Sequence, residues 1–176
     1  MIKDKETLNK INTIQNNVDT MFLNLEMLVN KLVNRYCNDL DSYMQTIDIE
    51  LCTVNKPLTI EQLESYLLNL SSLLYFTGEA QEDLGIKEDA CRAIKTELYN
   101  TIREQSTGTV AERDTAATMG SQVEALTLVI YSRAYKKVKF KVEAGYEMLN
   151  SVKKIISRRM AEMELSNSKF LNKEVN

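Results

Sequence analysis

A chain of 176 residues that is 44% apolar and 27% charged is most simply one domain with a packed core, which excludes wholesale disorder. One Pro and five Gly are too few for a turn-rich β protein, so long helices are expected. The net charge of −3 is unevenly spread: residues 1–130 carry 11 Lys/Arg against 20 Asp/Glu, whereas residues 131–160 carry nine against two. A basic segment on an acidic body points to a localised contact with a polyanion, or with acidic protein surface.

From about residue 5 to 51 there is neither Gly nor Pro, and apolar residues recur in steps of three and four. Ile11, Val18, Leu25 and Leu32 keep a strict seven-residue repeat, the pattern of a helix that packs along another helix. Pro57 then blocks continuation, and Thr59 with Gln62 fits a capping box. Two further helices are expected, about 60–84 through Leu63, Leu67, Leu70 and Leu74, and about 86–104 through Ile86, Ala90, Ile94, Leu98 and Ile102. Residues 105–121, "QSTGTVAERDTAATMGS", are small and polar with no apolar period, and predict a mobile loop. Residues 1–104 thus form an acidic helical scaffold.

The last helix is expected over 122–165, with a frayed tail at 166–176. Its apolar stripe runs from Val123 through Ala134, Val138, Val142, Gly145 and Leu149 to Met163. At 100° per residue, Arg133, Lys136, Lys139, Lys154 and Arg158 fall opposite that stripe, and Lys137, Lys141 and Arg159 flank it. Gly145, in mid-stripe, marks a close helix–helix approach. The fold expected is all-α: a long-helix antiparallel hairpin or bundle, with helix one packed on helix four and leftover apolar surface closing a homo-oligomer.

Catalytic chemistry finds little to use. There is no histidine, the usual general base and zinc ligand. Cys37, Cys52 and Cys91 lack metal-site spacing and read as free thiols of a reducing compartment. No glycine-rich loop follows a strand. Asp48 and Glu50, two apart, point to different sides of their helix. A non-enzymatic protein without metal or cofactor is expected. A polar start and the lack of any apolar run near 20 residues predict a soluble, cytoplasmic protein with no membrane partner.

The basic segment carries the binding chemistry. Lys and Arg along one helix face neutralise successive phosphates without reading sequence, and aromatic rings among them stack on unpaired bases. Arg133, Lys136, Lys137, Lys139, Lys141, Lys153, Lys154, Arg158 and Arg159 are the candidate phosphate contacts; Tyr131, Tyr135 and Phe140 are the candidate stacking groups. The competing reading is a solvated helix face, since Lys139 and Glu143 make an ordinary i,i+4 pair and Tyr131 adjoins the apolar stripe.

Over residues 111–163, "AERDTAATMGSQVEAL", a Tyr-rich middle and "SVKKIISRR", the pattern resembles phage recombination-mediator proteins of the UvsY type. That resemblance implies an oligomer that binds single-stranded DNA along its backbone and loads a recombinase where a single-strand-binding protein already sits. It would place the protein in a host cell's cytoplasm, with the basic residues from Lys136 to Arg159 on the DNA. Residues 1–105 carry no such resemblance. A virion assembly protein whose basic helix packs on acidic neighbours, and a small helical inhibitor or adaptor, are the alternatives.

Overall fold

Apolar spacing of three and four makes long helices, and four account for the described secondary structure: α1 (Ile2–Thr53), α2 (Ile60–Gln105), α3 (Val110–Gly120) and α4 (Gln122–Leu171). The computed structural model describes residues 2–53 and 58–171; Pro57, the side chains of Leu8 and Ile11, and residues 172–176 lie outside the described residues. The chain is all-α, with no strand among the described residues. Its contacts divide it into two units. Unit 1 comprises Met1–Arg35 and Asp83–Lys136; unit 2 comprises Tyr36–Glu82 and Lys137–Asn176.

In unit 2 three helices share one core. Leu40 and Ile47 of α1, Leu63, Leu70 and Leu74 of α2, and Val138 and Val152 of α4 are fully buried. Each such side chain contributes about 1.5–3 kcal/mol relative to exposure. Tyr66 meets Tyr43 edge-on, with ring centroids 6.4 Å apart, and donates its hydroxyl to Glu50. That bond, together with burial, pushes the Tyr66 phenol up to about 12. Gly145 is the close approach its place in the stripe predicts: an added Cβ would stand 2.6 Å from Leu74 Cδ2 and 3.6 Å from Leu40 Cδ1.

Within unit 2, Glu50 meets Tyr66 while Leu40 and Leu74 both border Gly145, so α1 and α2 are antiparallel there. Gly145 beside Leu74, and Arg159 beside Leu58, make α2 and α4 antiparallel too. Helix one does meet helix four, but the two run in the same sense. The cause lies in α2. The two helices expected over 60–84 and 86–104 are one helix of 46 residues, which removes one reversal of chain direction.

Gly78 and Gly85, near which the sequence predicts a break, sit inside α2. An interior glycine costs only about 1 kcal/mol against Ala, and continuous burial on one side outweighs it. The inward residues keep seven-residue spacing in two rows: Leu63, Leu70, Thr77, Leu84, Cys91 and Leu98, and Leu67, Leu74, Gln81, Glu88, Lys95 and Ile102. All are buried or half-buried. Ile86, Ala90 and Ile94 fall differently from the stripe expected of them: Ile86 and Ile94 are exposed, and Ala90 lies outside both rows. Polar Glu88 and Lys95 occupy the seam instead.

Within 105–121, expected as a loop, residues 110–120 form α3 and only 106–109 connect it to α2. Gly108 turns the chain with a left-handed backbone (φ 114°), and Thr109 caps α3 through a full capping box with Glu112. The Thr109 N–H donates to Glu112 Oε2 at 2.7 Å, and Glu112 N–H donates to Thr109 Oγ1 at 3.4 Å. On its other side α3 is tied to α2, where Asp114 accepts from Arg103 at 2.5 Å and from the Tyr99 hydroxyl at 3.4 Å. Ala117 and Ser121 are buried, and an added Cβ at Gly120 would meet Ile102 at 2.5 Å. The tail differs as well: residues 166–171, expected to fray, continue α4.

The capping box makes α3 sensitive to acid. Hydrogen bonds from the Thr109 backbone and hydroxyl hold the Glu112 carboxyl below its ordinary value of 4.5. A carboxyl lowered on folding lends its stability above the unfolded value and loses it as pH falls through the folded one. The Cα chemical shifts of residues 110–114 should therefore drift toward coil values as pH drops below 4.5, while those of α4 near Val152 hold.

Among the described residues, unit 1 buries fewer side chains than unit 2. Val29, Val33, Leu84, Ala117 and Ala134 are its fully or nearly fully buried apolar residues. The seven-residue seam of α1 is not among them: Leu25 is half-buried and Leu32 is partly covered, whereas Ile14, Val18, Met21 and Leu28 are exposed. Within this unit, the described residues that α1 does bury, Val29 and Val33, lie beside that seam rather than on it.

Candidate nucleic-acid interface

The α4 stripe from Ala134 to Ile156 is buried, with Val138, Val142, Gly145, Leu149 and Val152 between them. Only its ends, Val123, Met160 and Met163, are exposed against expectation. Burial on that side turns the opposite side to solvent, which divides the nine basic residues by use.

Two are held by the fold of unit 2. Lys141 is half-buried and pairs with Asp41 of α1. Arg159 is half-buried and donates to the Leu58 carbonyl at the start of α2, where Thr59 and Gln62 form the expected capping bonds of 2.8 and 3.2 Å. These two candidates are held in contacts between helices. The Lys141–Asp41 pair also adjoins Cys37, whose thiol is pushed up to about 11 by burial and then by the charge of Asp41, with Lys141 opposing. A thiol so held stays protonated at neutral pH and packs as a small apolar group.

The others are exposed. In unit 1, Arg133 and Lys136 make no ion pair or hydrogen bond among the described residues. In unit 2, Lys153 and Lys154 are likewise without one, and Lys137 is exposed but engaged in a contact. Lys139 lies 4.0 Å from Glu143, and Arg158 donates to Glu162 at 2.9 Å; both pairs are solvent-exposed and weak.

The aromatic candidates separate in the same way. Tyr131 and Tyr135 are half-buried, and the Tyr135 ring covers Gly85, where a Cβ would stand 3.4 Å from Cε2. Tyr135 is packing. Phe140, in unit 2, is 71% exposed and can offer a ring face to a base.

Two features escaped the sequence. Arg92 and Lys95 line a furrow of unit 1 with Arg133 and Lys136, in a volume of about 470 Å3. They sit in an acidic stretch, where the apolar spacing of Ile86 and Ile94 assigns the inner face elsewhere. Tyr75 and Phe76, an edge-to-face pair with centroids 5.5 Å apart, are exposed on α2 in unit 2; two adjacent aromatics outside the apolar stripe were the available signal.

Among the described residues no group of three or more Cys, Asp or Glu could hold a metal ion, and no helix is long and apolar enough to cross a membrane. No protein-family model, curated protein or solved structure matches the chain.

Proposed function

We propose that the protein holds single-stranded DNA by its phosphate backbone on the exposed cations of α4. In this reading it acts as a non-catalytic, oligomeric mediator that helps load a recombinase onto strands covered by a single-strand-binding protein. The observation that carries it is the division of labour along α4: packing uses Lys141 and Arg159, and leaves Arg133, Lys136, Lys139, Lys153, Lys154 and Arg158 exposed. Exposed cations on a helix face favour phosphate over base edges, so binding would be sequence-independent and salt-sensitive.

The test is fluorescence anisotropy of a labelled strand of about 40 nucleotides across a salt series. Micromolar or tighter binding is expected, with log affinity falling by about 0.7 per phosphate neutralised for each decade of salt. A variant with Lys136→Glu, Lys139→Glu and Lys154→Glu should lose it. A folded wild-type protein that ignores the strand at about 50 mM salt sinks the reading, because phosphate contacts are strongest there.

A second reading has its own support. The exposed α1 seam of Ile14, Val18, Met21 and Leu28 suits an assembly protein, whose basic helix would then meet acidic neighbours. Assembly without DNA binding would favour it.

A further inference from the structure

We infer that the unit 1 furrow between α2 and α4 is a two-walled seat for a phosphodiester chain, in which Arg92 and Lys95 act with Arg133 and Lys136. The inference rests on the polyanion reading above and extends it from one helix to two.

The inner rows of α2 are apolar along most of their length, but at positions 88 and 95 the seam carries Glu88 and Lys95. The facing stretch of α4 supplies Ser132, Arg133 and Lys136 above a floor of Leu128 and Val129. Four cations and one carboxylate line the space, a local excess of three positive charges in a protein whose total is −3. Cations gathered on one furrow favour an anion between them.

The single carboxylate is already engaged. Glu88 is 14% exposed at its side chain and accepts from Arg92 Nη2 at 2.9 Å. A guanidinium has five N–H donors in a planar fork, so this contact fixes its position while leaving donors for a phosphate. Lys95, Arg133 and Lys136 make no ion pair or hydrogen bond among the described residues. From Glu88 to Lys95 the α2 wall covers roughly 10 Å of helix axis, the length over which one strand presents about two to three phosphates. One wall offers phosphates a line of charge; two walls clasp the chain from both sides.

The experiment uses full-length protein and a labelled oligo-dT of about 20 nucleotides. Arg92→Gln with Lys95→Gln removes the α2 wall by neutral exchange. Lys153→Gln with Lys154→Gln is the comparison outside the furrow. Melting curves are recorded for both, and single exchanges at 92 and 95 serve if the pair lowers stability.

The α2-wall variant is expected to bind about tenfold or more weakly at low salt, with its salt slope shallower by about 1.4, two phosphates at about 0.7 each. Wild-type affinity and slope in that variant, while the wild type binds and the Lys153/Lys154 variant weakens, overturns the furrow and leaves the polyanion reading standing. Failure of the wild type to bind overturns both. Displacement of the strand by poly-glutamate as readily as by oligo-dA of equal charge overturns the phosphodiester assignment in favour of acidic protein.

Discussion

Gly145→Val is expected to destabilise unit 2 by about 1–3 kcal/mol, the range in which added methylenes strain a packed core. A Cβ at this position would stand 2.6 Å from Leu74 Cδ2 and 3.4 Å from Leu74 Cγ. Leu74 is 1% exposed and Leu40, 3.6 Å away on the other side, is as deeply buried, so neither can swing into solvent. The exchange to Ala gains about 1 kcal/mol of helix propensity and so partly hides the strain; Val gains less and adds bulk. Leu74→Ala alone should cost about 2–5 kcal/mol as a cavity. The informative measurement is the cycle that joins Gly145→Ala to Leu74→Ala in urea unfolding. The new methyl enters the space the leucine leaves, so the double variant should be more stable than the sum of the singles by about 0.5–3 kcal/mol. Strict additivity would mean that α4 does not rest on Leu74 at this glycine.

Position 145 was legible in the sequence because a 3.6-residue period runs through α4 for most of its length, and a glycine on the inner side of such a helix lets a neighbouring helix come close. The start of α2 was legible for a local reason too, since Thr59 and Gln62 need only each other. The Thr109–Glu112 box is an equally local signal, but the segment it opens has no apolar period and buries Ala117 as its one apolar residue. Composition argued for a loop there, and the cap outweighed it. In α2 the period continues through Gln81, Glu88 and Lys95, which an apolar pattern passes over. The basic run of α4 was legible in the sequence, but which of its cations the fold engages was not. Lys141 finds Asp41 and Arg159 finds the Leu58 carbonyl across about a hundred residues of chain, and no spacing rule reports such partners.

The largest effect on binding should come from a change that touches no cation. Val18→Glu with Met21→Glu places two charges on the exposed seam of α1, and Val18 is 59% exposed in the single chain. Substitutions at such positions usually change the stability of the folded chain by less than about 0.5 kcal/mol. In an assembly joined through that seam the same charges lie buried and face their copies, which costs far more than the seam returns. Light scattering coupled to size exclusion should therefore show the wild type as an oligomer and the variant as a folded monomer. In the proposed assembly several identical basic helices would hold one strand by avidity, so dissolving it should weaken strand binding by about a hundredfold or more. A monomeric variant with undiminished affinity would place the whole of the binding within one chain, where the furrow of Arg92, Lys95, Arg133 and Lys136 would then have to account for it. A variant that remains oligomeric would show that the α1 seam is not the joint.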